Sequence, residues 1–279
     1  MKKISFVFLL ANFICTTQSF ATTYYSQTSG DPGSTSNWNS VRAGGGSAPS
    51  NFTTGSDVFV IQNGHTMTTT AIWDLGGSSM TLQIEDGGIL QADNEVDLTP
   101  SSIFQIDNGG TYYHNFSTAE IFDGTESFGA SSTVELQTRP AATFSVLSFG
   151  NLIINYSSGG NMRFNAGNTG TITIAGDLTI KNTSSSGADE VRCATGSSTS
   201  VTLDIAGDFN ITGGTFNFFS ASGGFGSIEV GGDVNFTGGT WNNTGSDNLT
   251  FNFTNDQINT TATFNGVNMS GAEANVDYN

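Results

Sequence analysis

The chain has 279 residues, of which 36 are Gly, 22 are Phe and only 4 are Pro, and just 11% are charged. The scarcity of proline excludes a proline-rich linker. The weakly charged composition with many Phe favours short strands joined by tight turns and fits disorder poorly. The net charge of -17 at pH 7 disfavours nucleic acid, anionic membranes and other polyanions as partners.

Residues 1–21 have the features of a cleaved secretory signal peptide. Lys2 and Lys3 precede an apolar run over Ile4–Ile14, and Ser19-Phe20-Ala21 satisfies the small-x-small cleavage rule. No later stretch is apolar for the length that a bilayer crossing needs. We therefore predict export to the medium or the cell surface, without membrane insertion.

The two cysteines favour neither a lipid anchor nor a disulfide. Cys15 is a poor acylation site because Phe13 and Ile14 precede it where small residues are expected. Cys193 is then the only cysteine of the exported chain, so no intramolecular disulfide can form. The stability of the exported chain therefore has to come from packing and backbone pairing.

After the signal, a segment rich in Ser, Gly and Asn, residues 22–56, precedes a series of alternating apolar segments. These segments end in turns at Asn63-Gly64, Asp86-Gly87-Gly88 and Asn108-Gly109-Gly110, which recur every 22 to 23 residues. That spacing suits successive coils of a solenoid. We expect residues 22–56 to cap the first coil, because an open solenoid end is an exposed sheet edge.

The clearest repeat begins in the middle of the chain with a Gly-Asn or Gly-Asp step followed by an alternating strand. The step recurs at Gly150, Gly176, Gly207 and Gly232, at spacings of 26, 31 and 25 residues. Alternation within each copy predicts two apolar columns that face inward. The first column contains Leu152, Leu178, Phe209 and Val234, and the second contains Ile154, Ile180, Ile211 and Phe236.

This periodicity predicts an all-β fold, a right-handed parallel β-helix with about 25 residues per coil over residues 57–279. A β-sandwich with similar strands is the alternative, but a sandwich does not require a constant period. No distinct cap follows the last alternating segment. That favours either a solenoid that continues beyond Asn279 or an end covered by a partner.

Asp204 and Glu229 are the best candidates for catalytic chemistry. The register of about 25 residues places them at equivalent outward positions of adjacent coils, a separation compatible with the two carboxylates of a glycosidase. Two solvated surface acids are the alternative. A lyase acting on acidic sugars also needs cations, and the available ones are scattered in the sequence: Arg42, Arg139, Arg163, Lys181 and Arg192.

Asp177, Asp208 and Asp233 should form a column at one corner of the solenoid. Like charges one strand spacing apart repel unless water or calcium separates them. The surrounding sequence does not match the Asp-rich nonapeptide calcium repeat, so solvated turn acids are favoured. His65, in a Gly-His-Thr turn, is expected to make a structural hydrogen bond, and His114 has no nearby zinc-ligand pattern.

Four aromatic residues near the repeats have two interpretations. Phe216 and Trp241 are equivalent positions of adjacent coils, with Phe218 and Phe219 close by. Exposed rings would provide a platform for sugar faces, whereas buried rings would fill the lumen. Alternation places Phe216 and Phe218 on one face, which favours the core.

Three stretches resemble the secreted, surface-associated adhesin-like β-solenoid proteins of Bacteroidetes-type bacteria, which are similar to the pectin-lyase-like parallel β-helix. The first is the opening "SNWNS…GSDVFVIQNGHTMTT", which is also loosely G8-like. The second is "STAEIFDGTESFGASSTVEL…LSFGNLIINYSSGG", and the third is the series "GDLTI…GDFNITGGTF" with "LTFNFTNDQINTTATF". The resemblance implies an architecture more than an activity. The C-terminal sorting domain common in that group has no counterpart here.

From these observations we predict no catalytic residue, cofactor or metal site. The expected function is that of a non-catalytic exported structural or adhesin-like solenoid, with glycans or other surface proteins as partners. The alternatives are a carbohydrate-active parallel β-helix, either hydrolase or lyase, and a calcium-stabilised carbohydrate-binding module.

Overall fold

A computed structural model describes most of the chain beyond the predicted signal peptide. The described residues are 21–117, 124–140, 143–144, 147–157, 160–164, 170–183, 189–194, 200–219, 225–242, 248–253, 257–260, 268–269 and 275–278. The predicted signal peptide thus lies almost entirely outside them.

The described residues form 29 strands and one short 3-10 helix. In chain order these are β1 (Thr23–Ser26), the 3-10 helix (Thr35–Asn37), β2 (Trp38–Asn39), β3 (Val58–Ile61), β4 (Thr66–Thr68), β5 (Trp73–Leu75), β6 (Thr81–Ile84), β7 (Ile89–Ala92), β8 (Val96–Leu98), β9 (Ile103–Ile106), β10 (Thr111–His114), β11 (Thr125–Phe128), β12 (Thr133–Leu136), β13 (Thr143–Phe144), β14 (Ser148–Phe149), β15 (Asn151–Asn155), β16 (Met162–Phe164), β17 (Thr171–Ile174), β18 (Leu178–Asn182), β19 (Val191–Ala194), β20 (Ser200–Ile205), β21 (Phe209–Ile211), β22 (Thr215–Phe219), β23 (Phe225–Val230), β24 (Val234–Phe236), β25 (Thr240–Asn242), β26 (Asn248–Phe253), β27 (Gln257–Thr260), β28 (Asn268–Met269) and β29 (Asn275–Tyr278). No helix among the described residues is long and apolar enough to cross a membrane.

The strands stack in parallel as the coils of a β-solenoid, which confirms the predicted fold class. One ten-stranded sheet runs the length of the stack, from β4 to β29. A second face is formed first by the sheet that contains β3, β6, β9 and β11, and later by the sheet from β14 to β28. The third face is formed by β5 and β8, and later by the sheet from β13 to β25.

The predicted inward columns are present in the ten-stranded sheet. Leu152 pairs with Leu178, Leu178 with Phe209, and Phe209 with Val234. All four side chains are buried, as are those of the second column. A slip of one residue would turn each column outward, so burial of these side chains fixes the pairing register.

The segment 22–56 adds strands to the N-terminal end of the stack. β1 pairs in parallel with β3, and β2 pairs with β1 in the antiparallel direction. The indole of Trp38 is buried, stacks on Trp73 at 5.6 Å between ring centroids, and meets Phe59 edge-on at 5.2 Å. These rings occupy the lumen at the end of the first coils.

The N-terminal sheet of the second face ends where its inward column becomes polar. Phe59, Leu82 and Phe104 occupy successive positions of that column, and Glu126 in β11 takes the next one. Glu126 is only partly buried, in keeping with the free-energy cost of burying a carboxylate. Among the described residues, β11 is the last strand of this sheet.

Candidate functional site

The Asn151–Asp177–Asp208–Asp233 column at the corner before the ten-stranded sheet is a ladder of side chain to backbone hydrogen bonds. The Asp177 amide donates to Oδ1 of Asn151, the Asp208 amide to Oδ1 of Asp177, and the Asp233 amide to Oδ1 of Asp208, each at 2.8 Å. The bonded residues are 26, 31 and 25 positions apart. The side chains of Asn151, Asp177 and Asp208 thus each tie one coil to the next.

These hydrogen bonds explain how carboxylates of adjacent coils can stack in one column. Two unit charges about 5 Å apart repel by about 1 kcal/mol in water, and a hydrogen bond to a charged acceptor contributes as much or more. The amide bonds therefore offset the repulsion between neighbouring carboxylates. The described residues contain no group of three or more His, Cys, Asp or Glu side chains suited to hold a metal.

The glycine of each Gly-Asp step makes room for this ladder. A Cβ added to Gly176 would lie well inside 3.0 Å of Asn151 Oδ1, and one added to Gly207 or Gly232 would meet Asp177 or Asp208 in the same way. The carboxylate or amide of one coil therefore occupies the space of the missing side chain in the next coil. The ladder therefore needs both the glycine of one coil and the acid or amide side chain of the coil before it.

A related column lies at the corner of the N-terminal coils, where the predicted turns are found. Gly64, Gly87 and Gly109 have positive φ angles of 77°, 70° and 81°, which other residues rarely adopt. Their backbones are bonded in sequence, since the Gly64 amide donates to the Gly87 carbonyl and the Gly87 amide to that of Gly109. The predicted turns are thus confirmed as one stacked corner.

A groove of about 670 Å³ follows this corner. Acids and amides dominate its lining, which is Asn63, Glu85, Asp86, Gln105, Ile106, Asp107, Asn108, Ser127, Phe128 and Gly129. Gln83 and Gln105 both donate to the Asp107 carboxylate, at 2.7 and 2.6 Å. Arg42 bonds Glu85 through both of its terminal nitrogens. The charges of the groove are thus largely held by neighbouring side chains.

Asp204 and Glu229 are register partners in β20 and β23, as predicted. They line a smaller groove of about 180 Å³ together with Asn252, whose amide donates to Glu229 Oε1 at 3.0 Å. Adjacent coils lie about 4.8 Å apart, near the separation of the carboxylates in a retaining glycosidase. The described lining of this groove contains no cation.

The two histidines have structural surroundings. His65 Nδ1 lies 2.8 Å from the Ser26 hydroxyl, which confirms the expected structural hydrogen bond. His114 is fully buried, with Nδ1 3.1 Å from the Tyr112 hydroxyl. Burial lowers the pKa of His114 to about 4, although the backbone at Phe116 acts in the opposite direction. His114 is therefore neutral in the lumen at pH 7.

The aromatic residues and the free cysteine belong to the core. Phe216, Phe218 and Trp241 are at most 1% exposed, and the rings of Phe216 and Trp241 meet edge-on at 5.2 Å. They cannot serve as a sugar platform, whereas the Phe219 side chain lies outside the described part of the structure. Cys193 is also buried, and burial raises the pKa of its thiol.

Two of the basic residues that are distant in the sequence are neighbours in the solenoid. Arg163 in β16 and Arg192 in β19 are register partners on adjacent coils. Arg139 bonds the same coil as Arg163, because its Nη1 donates to the carbonyl of Asn161 at 2.9 Å. Lys181 lies on another face, 3.9 Å from Glu135. The third face thus brings Arg163 and Arg192, which lie 29 positions apart in the sequence, onto adjacent coils.

Comparison with protein-family models, with curated proteins and with solved structures finds no match.

Proposed function

We propose that the protein is a non-catalytic exported scaffold, with a structural or adhesive role at the cell surface or in the extracellular matrix. The observation that carries this proposal is how the corner side chains are used. In the Asn151–Asp177–Asp208–Asp233 column, carboxylate and amide oxygens bond the next coil and are not grouped for chemistry. Such a ladder favours a long rigid body with extended lateral faces.

Export is the second part of this proposal. It is supported by the charge and apolar pattern of residues 1–21. The resemblance to adhesin-like solenoids favours the cell surface. Fractionation of cells expressing the full chain tests this part, and retention of the uncleaved protein in the cytoplasm would contradict it.

The scaffold role is tested by a screen for turnover of neutral and acidic polysaccharides by the purified protein, combined with small-angle scattering. We expect no product and an elongated particle. A compact particle would contradict the elongated solenoid, and product formation would contradict the non-catalytic role.

A carbohydrate-active enzyme is the second candidate, favoured by the shared groove of Asp204 and Glu229. If the screen detects turnover, the variants Asp204→Ala and Glu229→Ala decide whether this pair is responsible. Loss of turnover in both, with an unchanged unfolding midpoint, would establish the enzyme. Asp177→Ala is the matched control, because it also removes an outward carboxylate but lies at the corner away from this groove.

A calcium-stabilised binding module is the third candidate. Since backbone amides already bond Oδ1 of Asn151, Asp177 and Asp208, we expect a chelator to leave the melting temperature unchanged. A fall in melting temperature that added calcium reverses would support the calcium module instead.

A further inference from the structure

The outward face of the ten-stranded sheet carries a buried carboxylate. Glu135 lies in β12 at an outward position, between its register partners Tyr113 in β10 and Ile153 in β15. Outward side chains of a solenoid normally face water, yet Glu135 is only 8% exposed. A buried acid is costly unless its oxygens have partners. The groups that hold this carboxylate therefore decide what it can do.

Two groups of complementary chemistry meet at this carboxylate. Oε1 of Glu135 accepts a hydrogen bond from the side-chain amide of Asn155 at 2.8 Å, and Oε2 lies 3.9 Å from Nζ of Lys181. The three residues belong to three successive strands, β12, β15 and β18. Because β15 lies between the other two, the Lys181 side chain crosses the strand that carries Asn155 to reach Glu135. An amine, a carboxamide and a carboxylate thus share one place.

A shift in strand register accompanies this arrangement. Ile154 pairs with Ile180 but Asn155 pairs with Asn182, so Lys181 is an extra residue in β18 without an opposite partner in β15. Such an extra residue changes the direction of a side chain and is frequent beside active sites. The irregularity lies at the point of the β15–β18 pair where the amine and the carboxamide are neighbours.

The identity of the cation distinguishes this place from a similar one on the third face. Glu190 also accepts from an asparagine amide and a cation, Asn217 Nδ2 and Arg192 Nε, each at 2.9 Å. A guanidinium stays protonated, whereas a lysine amine becomes a nucleophile once an adjacent base takes its proton. Lys181 is the only lysine of the chain beyond Lys3. Of the two places, only the one at Glu135 can form a bond.

We propose that Lys181 and Asn155 form an amide bond between adjacent coils, with Glu135 as the acid and base of the reaction. Nζ of Lys181 bonds to Cγ of Asn155 and the bond from Cγ to Nδ2 breaks. The two protons that the lysine ammonium loses leave with Nδ2 as an ammonium ion. Glu135 passes these protons on one at a time and ends as a carboxylate. One amide replaces another, so no oxidant, reductant or activated co-reactant is needed.

The geometry supplies what free amines and amides in water lack. One carboxylate holds both reacting side chains, which replaces a bimolecular encounter by an intramolecular one. The product ties Asn155 to Lys181 and restricts the unfolded chain as a disulfide does. The reaction happens once in each chain and is not turnover. The inference therefore goes beyond the scaffold role and does not depend on it.

The test is intact-mass spectrometry of the purified full chain, followed by digestion of the denatured protein with a protease that cuts after lysine. We expect a mass that is lower by one ammonia than that of the sequence from its measured N-terminus. We also expect no cut after Lys181, because the protease requires a free lysine amine. Tandem mass spectrometry of a tryptic digest should find Asn155 and Lys181 in one branched peptide.

Three variants assign the residues. Lys181→Arg keeps the positive charge on a side chain that is 43% exposed, and it should restore the full mass. Glu135→Ala and Asn155→Ala should restore both the full mass and the cut after Lys181. Glu190→Ala is the matched control, because it removes an acid that also holds an asparagine amide and a cation but no lysine. Its mass should stay lower by one ammonia.

The proposal is overturned if the unchanged protein has its full sequence mass and is cut after Lys181. It is also overturned if Lys181→Arg still lacks one ammonia, because the loss would then come from cyclisation of an asparagine elsewhere. Loss of water instead of ammonia would assign the bond to Glu135 and overturn the role of Asn155. A missing bond leaves the scaffold role standing, since scattering and the polysaccharide screen test that role separately.

Discussion

The pairing of glycine with an acid or amide at the solenoid corner predicts a strong coupling between Asn151 and Gly176. A Cβ on Gly176 would collide with the Oδ1 of Asn151, whereas the next atoms are Asn151 Cγ at 3.0 Å and the Ala130 carbonyl oxygen at 3.3 Å. Almost all of the obstruction therefore comes from one side chain. Gly176→Ala should be harmful alone and tolerated once Asn151 is also alanine.

The size of each effect follows from the contacts. Asn151→Ala removes the bond from the Asp177 amide at 2.8 Å and the bond to the Ser132 carbonyl at 3.1 Å. The corner is partly open to water, so about 1 kcal/mol is expected. Gly176→Ala forces the amide aside and should cost about 2 to 3 kcal/mol, as overpacking does. Independent effects would sum to about 3 to 4 kcal/mol, but we expect the double variant to lose only about 1 to 2.

Urea unfolding followed by circular dichroism measures these differences, with the slope checked to be constant among variants. Gly207 and Asp177 provide the matched control. A Cβ on Gly207 would also lie 2.7 Å from the backbone carbonyl oxygen of Gly176, so Asp177→Ala should not rescue Gly207→Ala. Additive losses at Asn151 and Gly176, or equal rescue at both corners, would refute the steric reasoning.

Three further predictions concern the lumen. The pKa of His114 is about 4 in the folded state against an ordinary value of 6.5. The contribution of neutral His114 to the free energy of unfolding should therefore be fully present above pH 6.5, and it should fall by about 3 kcal/mol as the pH drops to 4. In urea unfolding as a function of pH, His114→Leu should lack this part of the loss, and an identical profile would contradict the assignment. The Cys193 thiol should resist alkylation in the native protein and react after unfolding, because it is buried and its pKa is raised; rapid native labelling followed by mass spectrometry would disprove this. Trp241→Ala should cost about 3 to 5 kcal/mol in the same unfolding assay, because the indole is 1% exposed, and a loss below about 1 kcal/mol would place the ring outside the core.

The sequence predicted two faces of the solenoid better than the third. Alternating strands such as β18 and β20 are long enough to show a period of two, and the Gly-Asp step marks the corner between the two faces. The third-face strands β16 and β19 have only 3 and 4 residues. Such short segments give too few alternations to be assigned. Without that face, Arg163 and Arg192, which lie 29 positions apart in the sequence, could not be aligned.

The hydrogen bonds at the corner could not be predicted from the sequence either. The period placed Asp177, Asp208 and Asp233 in one column, which the structure confirms. Whether those carboxylates face water, an ion or a backbone amide depends on side-chain rotamers, which periodicity does not specify. The signal that could have identified the bond was the glycine before each acid, since its missing side chain leaves space for the carboxylate above it.

The fit between a glycine and the acid or amide of the neighbouring coil explains why the Gly-Asp step recurs in coils of unequal length. The coils between Asp177, Asp208 and Asp233 span 31 and 25 residues, so the length of the intervening loops is free to vary. What cannot vary is the local pair, because the glycine of one coil receives the oxygen that its neighbour projects. Gly109 in the N-terminal coils obeys the same constraint, since a Cβ there would collide with Oδ1 of Asp86. A coil can therefore gain residues on its other faces, including the third face with its arginines, while the corner keeps neighbouring coils in register.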